Sequence, residues 1–336
     1  MSSPAPAVIV VAAAGPRRGF GHLTRCRSIV RVLDVPAHVV LRGSASTARA
    51  AVRLGWTVHR DLAQAIRAVA PRLVIVDDPS PAHAARFVRT ARALGVPTAS
   101  IHDLGFERAP ADVTIDGSLT CVSGSVPADL QGPEFAILDP LFERLRKRRP
   151  PRDVHRVLIA LGGGAHVRAV GVRVAARMVE LAPYATVDLA AGMLPPSHTP
   201  RLPPRCRWIA QATLPESLAT ATAAVVGGGL TLYEACALGT PAVALPVTSA
   251  QALTTRAFAA AGAARDVRAR TRHRAAERAA RYAVDFLADP ALAARVGRRG
   301  RRLVDARGAR RVAAHLLALS TSEVDLRGRL EARHVA

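Results

Sequence analysis

Two stretches of this chain hold residues whose types and spacing can do chemistry. The first is Val225-Val226-Gly227-Gly228-Gly229-Leu230-Thr231-Leu232-Tyr233-Glu234-Ala235. There an apolar run from Ala223 to Val226 stops at three glycines and gives way to a helical pattern. Glycines at such a turn let the backbone approach a ligand closely, and the helix that follows offers unpaired N–H groups to an anion. Glu234 lies about one turn into that helix, within reach of a sugar hydroxyl beside a bound phosphate. The spacing predicts a nucleotide diphosphate site, while a tight turn with no ligand is the plainer reading of the same residues. The second stretch follows a strand candidate, Val8 to Ala14, and reads Gly15-Pro16-Arg17-Arg18-Gly19-Phe20-Gly21-His22 before a helical run, Leu23 to Leu33. His22 stands where loop becomes helix. The positive helix end is expected to favour its neutral form, which can serve as a general base. Capping or packing of the helix start is the alternative.

The elements that must position these residues alternate along the chain. Strand candidates in the first half are Val8–Ala14, Ala37–Leu41, Thr57–His59, Leu73–Val76 and Thr98–Ile101, with helical stretches such as Ala45–Leu54 and Pro81–Leu94 between them. Such alternation implies a parallel, doubly wound sheet. Asp77 and Asp78 follow Val76, at the carboxyl end of a buried strand, where open α/β sheets place their ligands. The run Arg144 to Asp153 is charged and Pro-interrupted and reads as an interdomain linker. A second series begins at Arg156 and continues through Thr186–Ala190, Arg207–Ala210, Ala223–Val226 and Ala242–Leu245, and from Arg272 onward the pattern is helical. The expected fold is therefore α/β, with two Rossmann-like domains whose parallel sheets face a central cleft. The expected bounds are 1–145 for the acceptor and catalytic-base domain, 146–153 for the linker, 154–320 for the nucleotide domain and 321–336 for a tail.

Composition narrows the function classes. A chain of 336 residues suits two domains, each with its own core. The formal charge is +22, yet all but one of the 47 basic residues are arginine, Lys147 being the exception. The arginines are spread along helices without stacking aromatics, which argues against specific nucleic-acid binding. The densest runs are Arg144 to Arg152 and Arg298 to Arg302. The first is read as linker and the second as a solvated helix face, with the holding of an acidic substrate or weak association to an anionic membrane surface as a further role. Cys26, Cys121, Cys206 and Cys236 show neither a C-x-x-C pair nor a histidine at metal-ligand spacing, so they read as buried thiols of a reducing compartment, and no metal is expected. No apolar run approaches the roughly 18 residues of a membrane span, and no signal peptide is evident, which predicts a cytoplasmic protein.

The motifs together resemble the two-domain GT-B nucleotide-sugar enzymes. The likeness is greatest to the branch holding the pseudaminic-acid-pathway UDP-sugar hydrolase and the spore-coat polysaccharide biosynthesis proteins, and more distant to the N-acetylglucosaminyltransferase that completes lipid II. It covers about residues 8 to 265 and implies that the last helix, near Ala309–Leu319, returns to the first domain. The pieces are Gly19-Phe20-Gly21-His22-Leu23-Thr24-Arg25-Cys26, Gly132 to Leu138 with Phe142, Leu161-Gly162-Gly163-Gly164, Leu214-Pro215-Glu216-Ser217-Leu218, Gly227 to Glu234, Gly239-Thr240-Pro241 and Gln251. The resemblance implies that Glu234 binds the ribose hydroxyls of UDP and that Gly228, Gly229, Leu230 and Thr231 donate to the diphosphate. It puts the Ile209–Leu214 region near uracil, Gln251 at the sugar and His22 as base near the anomeric carbon. Gly19, Gly21 and Gly163 complete the nucleotide-sugar-binding set. Such sites resemble metal-free ones, with UDP-sugar as substrate and no cofactor. This chain departs from the hydrolase branch at Asp77-Asp78-Pro79-Ser80, where a tyrosine commonly follows the aspartate. It departs again at Ala250-Gln251, commonly Asn-Gln, and at Ala165-His166, where an acidic residue is common. Loss of the Asn removes a donor and an acceptor from the sugar side. The expected activity is inverting glycosyl transfer from a UDP-sugar to an acceptor in cell-surface glycan synthesis. UDP-sugar hydrolysis is the alternative, and a non-catalytic sugar-nucleotide-binding protein is a third.

Overall fold

The computed structural model describes residues 7–15, 19–106, 109–148, 150–162, 167–192, 200–269 and 271–319. They form two compact units. One holds residues up to Ala14, His22–Asp139 and the chain from Arg307 onward; the other holds Gly15–Gly21 and Pro140–Ala306.

In the first unit, strands β1 (Val8–Ala13), β2 (Ala37–Arg42), β3 (Thr57–His59), β4 (Leu73–Asp77), β5 (Thr98–His102), β6 (Val113–Asp116) and β7 (Leu130–Gln131) form one sheet. Its order is β3-β2-β1-β4-β5-β6-β7 and every pairing is parallel. Helices α1 (Gly21–Leu33), α2 (Ala45–Arg53), α3 (Leu62–Val69) and α4 (Pro81–Ala93) supply the crossovers. β1 and β4 are buried at every position, which explains their unbroken apolar runs. α1 turns Leu23, Cys26, Ile29 and Val30 inward at helical spacing. Asp61 caps α3 by accepting from the Gln64 N–H at 2.9 Å.

The second unit repeats the plan. Strands β8 (Arg156–Ala160), β9 (Thr186–Ala190), β10 (Cys206–Ile209), β11 (Ala223–Val226), β12 (Ala242–Ala244) and β13 (Ala264–Asp266) run parallel in the order β10-β9-β8-β11-β12-β13. Counted within the unit, this order equals that of the first six strands of the first unit. Its helices are α5 (Pro140–Arg148), α6 (Arg168–Leu181), α7 (Leu214–Thr220), α8 (Leu230–Leu238), α9 (Gln251–Ala260), α10 (Arg272–Ala288) and α11 (Pro290–Leu303). α11 lies close on α8 because Gly297 and Gly300 bring no side chain against Gly239 and Cys236.

The run read as a linker is corrected here. It is helical through Arg148, with Phe142, Glu143 and Leu145 buried and Lys147 paired to Glu143 at 2.9 Å across one turn. Arg146 then donates to the carbonyls of Ala237 (2.6 Å), Arg301 (2.8 Å) and Val304 (3.1 Å). A charged sequence hid a helix whose central arginine caps two other helices. The residues from Arg307 also leave the bounds expected for the nucleotide domain. A helix at 308–319 buries Val312, Ala313 and Leu316, and Arg311 donates to the Glu134 carbonyl at 2.8 Å in the first unit.

Candidate functional site

Each sheet has one point where successive crossovers leave in opposite directions, between β1 and β4 in the first unit and between β8 and β11 in the second. Ligands of such sheets bind outside the carboxyl ends of the strands at that point. The predicted site residues gather there in both units.

β1 of the first unit is followed by Gly15 and Gly19, which group with the second unit and exchange backbone hydrogen bonds at 3.0 and 2.7 Å, and α1 starts at Gly21. Gly19 takes a left-handed φ of +78°, which suits a residue without a Cβ. His22 follows, and its Nδ1 lies 2.8 Å from Asp77 Oδ1 at the end of β4. With Asp77 ionised, Nδ1–H donates, so Nε2 of the neutral ring carries the lone pair. Nε2 has no partner among the described residues, and the side chain keeps 18 % exposure. Three residues on, Arg25 shares the same helix face. Its Nε and Nη2 donate to Asp77 Oδ2 (2.6 Å) and Oδ1 (2.7 Å), while Nη1 and Nη2 donate to Asp103 at 2.6 and 3.1 Å. Pro79, Ile101 and the half-exposed Phe106 line the open pocket into which this cluster faces.

The electrostatics correct one expectation. Burial works against a charged His22, but the charge and hydrogen bond of Asp77 outweigh it and hold the imidazole above its usual range. The helix end does not decide the matter, because an ionised carboxylate in direct contact is a stronger influence than a partial helix charge. Burial likewise resists ionisation of Asp77, yet Arg25 and then His22 keep its carboxyl well below the ordinary range. The Cys26 thiol, 3.5 Å from Asp77, is pushed far up by burial and by that anion, which leaves it an unreactive thiol.

In the second unit the three glycines close β11 and open α8. Unlike α2, α3, α10 and α11, helix α8 has no side-chain cap, and its first turn has no acid. The N–H groups of Gly229, Leu230 and Thr231 and the Thr231 hydroxyl have no partner among the described residues. Gly228 does not join them, contrary to expectation: its N–H donates to Gln251 Oε1 at 3.1 Å. That oxygen also accepts from the Val247 N–H at 3.0 Å. Gln251 therefore braces the glycine turn with its carbonyl, and only its Nε2 donors remain for a ligand. Glu234 sits in the buried middle of α8 at 6 % exposure, beside Tyr233, whose ring meets Phe258 edge-on at 4.8 Å. The segment Ile209–Leu214 runs from the end of β10 into α7. Gly163, with Gly164, Ala165 and His166, lies outside the described residues.

Sequence reasoning picked out His22 and the glycine turn but did not join Arg25 and Asp103 to them. The signal was present in part: Arg25 is spaced i+3 from His22, and Asp103 follows β5, the strand next to β4. Among the described residues no group of three or more His, Cys, Asp or Glu side chains could hold a metal ion, and no helix is long and apolar enough to cross a membrane.

No family model matches the chain. The spore coat polysaccharide biosynthesis protein SpsG of Bacillus subtilis (strain 168) is 30% identical over 145 residues, which is 41% of this chain. The match spans only 43% of that relative's length. Among solved structures, the spinosyn rhamnosyltransferase SpnG superimposes with a TM-score of 0.64 at 18% identity, over 93% of this chain and 99% of its own. SpnG has also been solved with thymidine diphosphate and with spinosyn aglycone. A UDP-GlcNAc 2-epimerase from Neisseria meningitidis, bound to UDP-GlcNAc, gives a TM-score of 0.59 at 12% identity, over 93% and 99%. With its two all-parallel sheets of matching order, the chain has the GT-B fold.

Proposed function

We propose that this protein is an inverting glycosyltransferase that uses a nucleoside-diphosphate sugar, with UDP as the nucleotide, in the assembly of a cell-surface glycan. The observation that carries this reading is the His22–Asp77 pair, with Nε2 open, at the switch point of the first sheet. The uncapped start of α8 at the switch point of the second sheet supports it. The partial likeness to a spore-coat polysaccharide protein favours a glycan product over other uses of the fold.

In the reaction an acceptor hydroxyl attacks the sugar C1. His22 Nε2 takes the hydroxyl proton as the C1–O bond to the diphosphate breaks, and Asp77 steadies the imidazolium that forms. The departing diphosphate gathers negative charge, which the free N–H groups of Gly229, Leu230 and Thr231 and the Thr231 hydroxyl receive. Glu234 accepts from the ribose hydroxyls. Gln251 keeps the turn in place and offers its Nε2 to the sugar.

The test is to titrate UDP and dTDP by calorimetry, then follow nucleoside diphosphate release from UDP-sugars with and without candidate acceptors. His22→Ala should bind UDP nearly as wild type and lose about 10²–10⁴-fold in turnover. Glu234→Ala should weaken UDP binding about tenfold or more. Release that needs no acceptor and yields free sugar would replace transfer with hydrolysis. UDP binding with no turnover of any donor would leave a binding protein.

A further inference from the structure

The two densest basic runs, one in α5 and one in α11, lie far apart in sequence but meet in the fold. Arg146 Nη2 donates to the Arg301 carbonyl at 2.8 Å, and Arg301 Nη2 lies 3.4 Å from the Arg146 carbonyl, a crossed pair between residues 155 positions apart. Both helices pack on α8, so their outward sides flank its carboxyl end. Those outward sides are cationic. On α5, Arg144, Lys147 and Arg148 are exposed; on α11, Arg295, Arg298, Arg299 and Arg302 are exposed at i, i+3, i+4 and i+7, which is a single stripe. Of the seven, only Lys147 has an ion pair among the described residues, with Glu143.

Unpaired guanidinium groups crowded in this way repel one another, and the described residues offer them no anion. Arg146 and Arg301 are different, since their charge is absorbed by the carbonyls they cap. The exposed members therefore suit an external array of phosphates, which arginine grips with its planar fork of donors. Neither run holds an aromatic residue on which a base could stack, and the charges stand on the backs of helices. A plane of headgroups meets such a surface better than a strand that must be wrapped. We propose that the outer sides of α5 and α11 form one basic surface that docks this protein on anionic lipid membrane. The contact is electrostatic, without insertion, and it does not depend on the glycosyl-transfer reading.

The experiment is flotation with vesicles of phosphatidylcholine, with and without phosphatidylglycerol, across a salt series. Wild type should float only with phosphatidylglycerol and be released as salt shortens the screening length below about 10 Å. Because the whole chain is basic, two variants of equal charge are compared. Arg144→Gln/Arg148→Gln/Arg298→Gln/Arg302→Gln should lose affinity about tenfold or more. Arg49→Gln/Arg53→Gln/Arg67→Gln/Arg89→Gln, on exposed helix positions of the first unit, should bind as wild type. Melting curves confirm that both fold. Equal losses in the two variants, or no flotation of wild type, would overturn the proposal. So would a short DNA duplex bound more tightly than the anionic vesicles and lost with the first variant, which would make the surface a nucleic-acid site.

Discussion

Asp77 has two carboxylate oxygens for which His22, Arg25 and, more weakly, the Cys26 thiol compete. Oδ1 faces His22 Nδ1 and Arg25 Nη2, while Oδ2 takes Arg25 Nε. Arg25 thus divides the anion that His22 depends on, and Asp103 in turn draws part of the Arg25 charge away. His102 and Asp78 stand at the same strand ends, the latter paired with Arg42 through hydrogen bonds of 2.5 and 2.6 Å. If the neutral ring is the base, as proposed, activity should fall as pH drops through an imidazole pKa that lies above the usual value. Arg25→Met removes a cation that opposes protonation, and the acid limb of the pH–rate profile should move to higher pH. Asp103→Asn removes an anion that favours protonation, and the limb should move to lower pH. Shifts of the same sign in both variants, or none, would show that Arg25 and Asp103 only hold the fold. Much of this cluster could not be read in advance. His22 stands out because glycines flank it, whereas Arg25 acts through partners 52 and 78 positions away, contacts that only the sheet creates.

At the scale of elements, the glycine turn divides into a part that packs and a part that stays open. A Cβ on Gly228 would come within 2.8 Å of Gln251 Cβ, the Gln251 carbonyl and Thr255 Cγ2, so α9 would have to move. Gly228→Ala should therefore lower stability by about 1–3 kcal/mol, read from denaturant unfolding. A Cβ on Gly229 meets nothing nearer than Gln251 Nε2 at 3.7 Å, and its φ of −98° suits any residue. Gly229→Ala should keep the wild-type midpoint yet weaken UDP binding, because in the proposed complex the methyl would stand where a phosphate approaches. Unchanged affinity in that variant would take the turn out of the nucleotide site. The long apolar strands were legible from sequence because parallel strands are buried on both faces. β6, β7 and β13 were not, being short and partly polar; β13 reads Ala-Arg-Asp. α5 was misread because its arginines mask the buried Phe142 and Leu145.

For the molecule as a whole, the repeated strand–glycine–helix pattern announced two similar units, and the same strand order in both accounts for it. Sequence periodicity could not say which unit a helix joins, since that is set by long-range contacts. The helix at 308–319 belongs to the first unit, where the ring of His315 meets Phe135 at 6.2 Å and Gly308 lies against the Ala136 carbonyl. Leu316→Ala removes a side chain that is 1 % exposed and should cost about 2–5 kcal/mol. Hydrogen exchange should then show protection lost in the first unit and kept in the second; uniform loss would mean that the two unfold as one. The return of this helix also sets an order in time. Domains usually mature in the order in which the ribosome emits them. Here the second unit has all its strands once Ala306 has emerged, while the first waits for residues beyond it. The part of the chain made earliest is therefore completed last. Until then the half that carries His22 is a nascent chain whose exposed apolar surface falls to chaperones to shield.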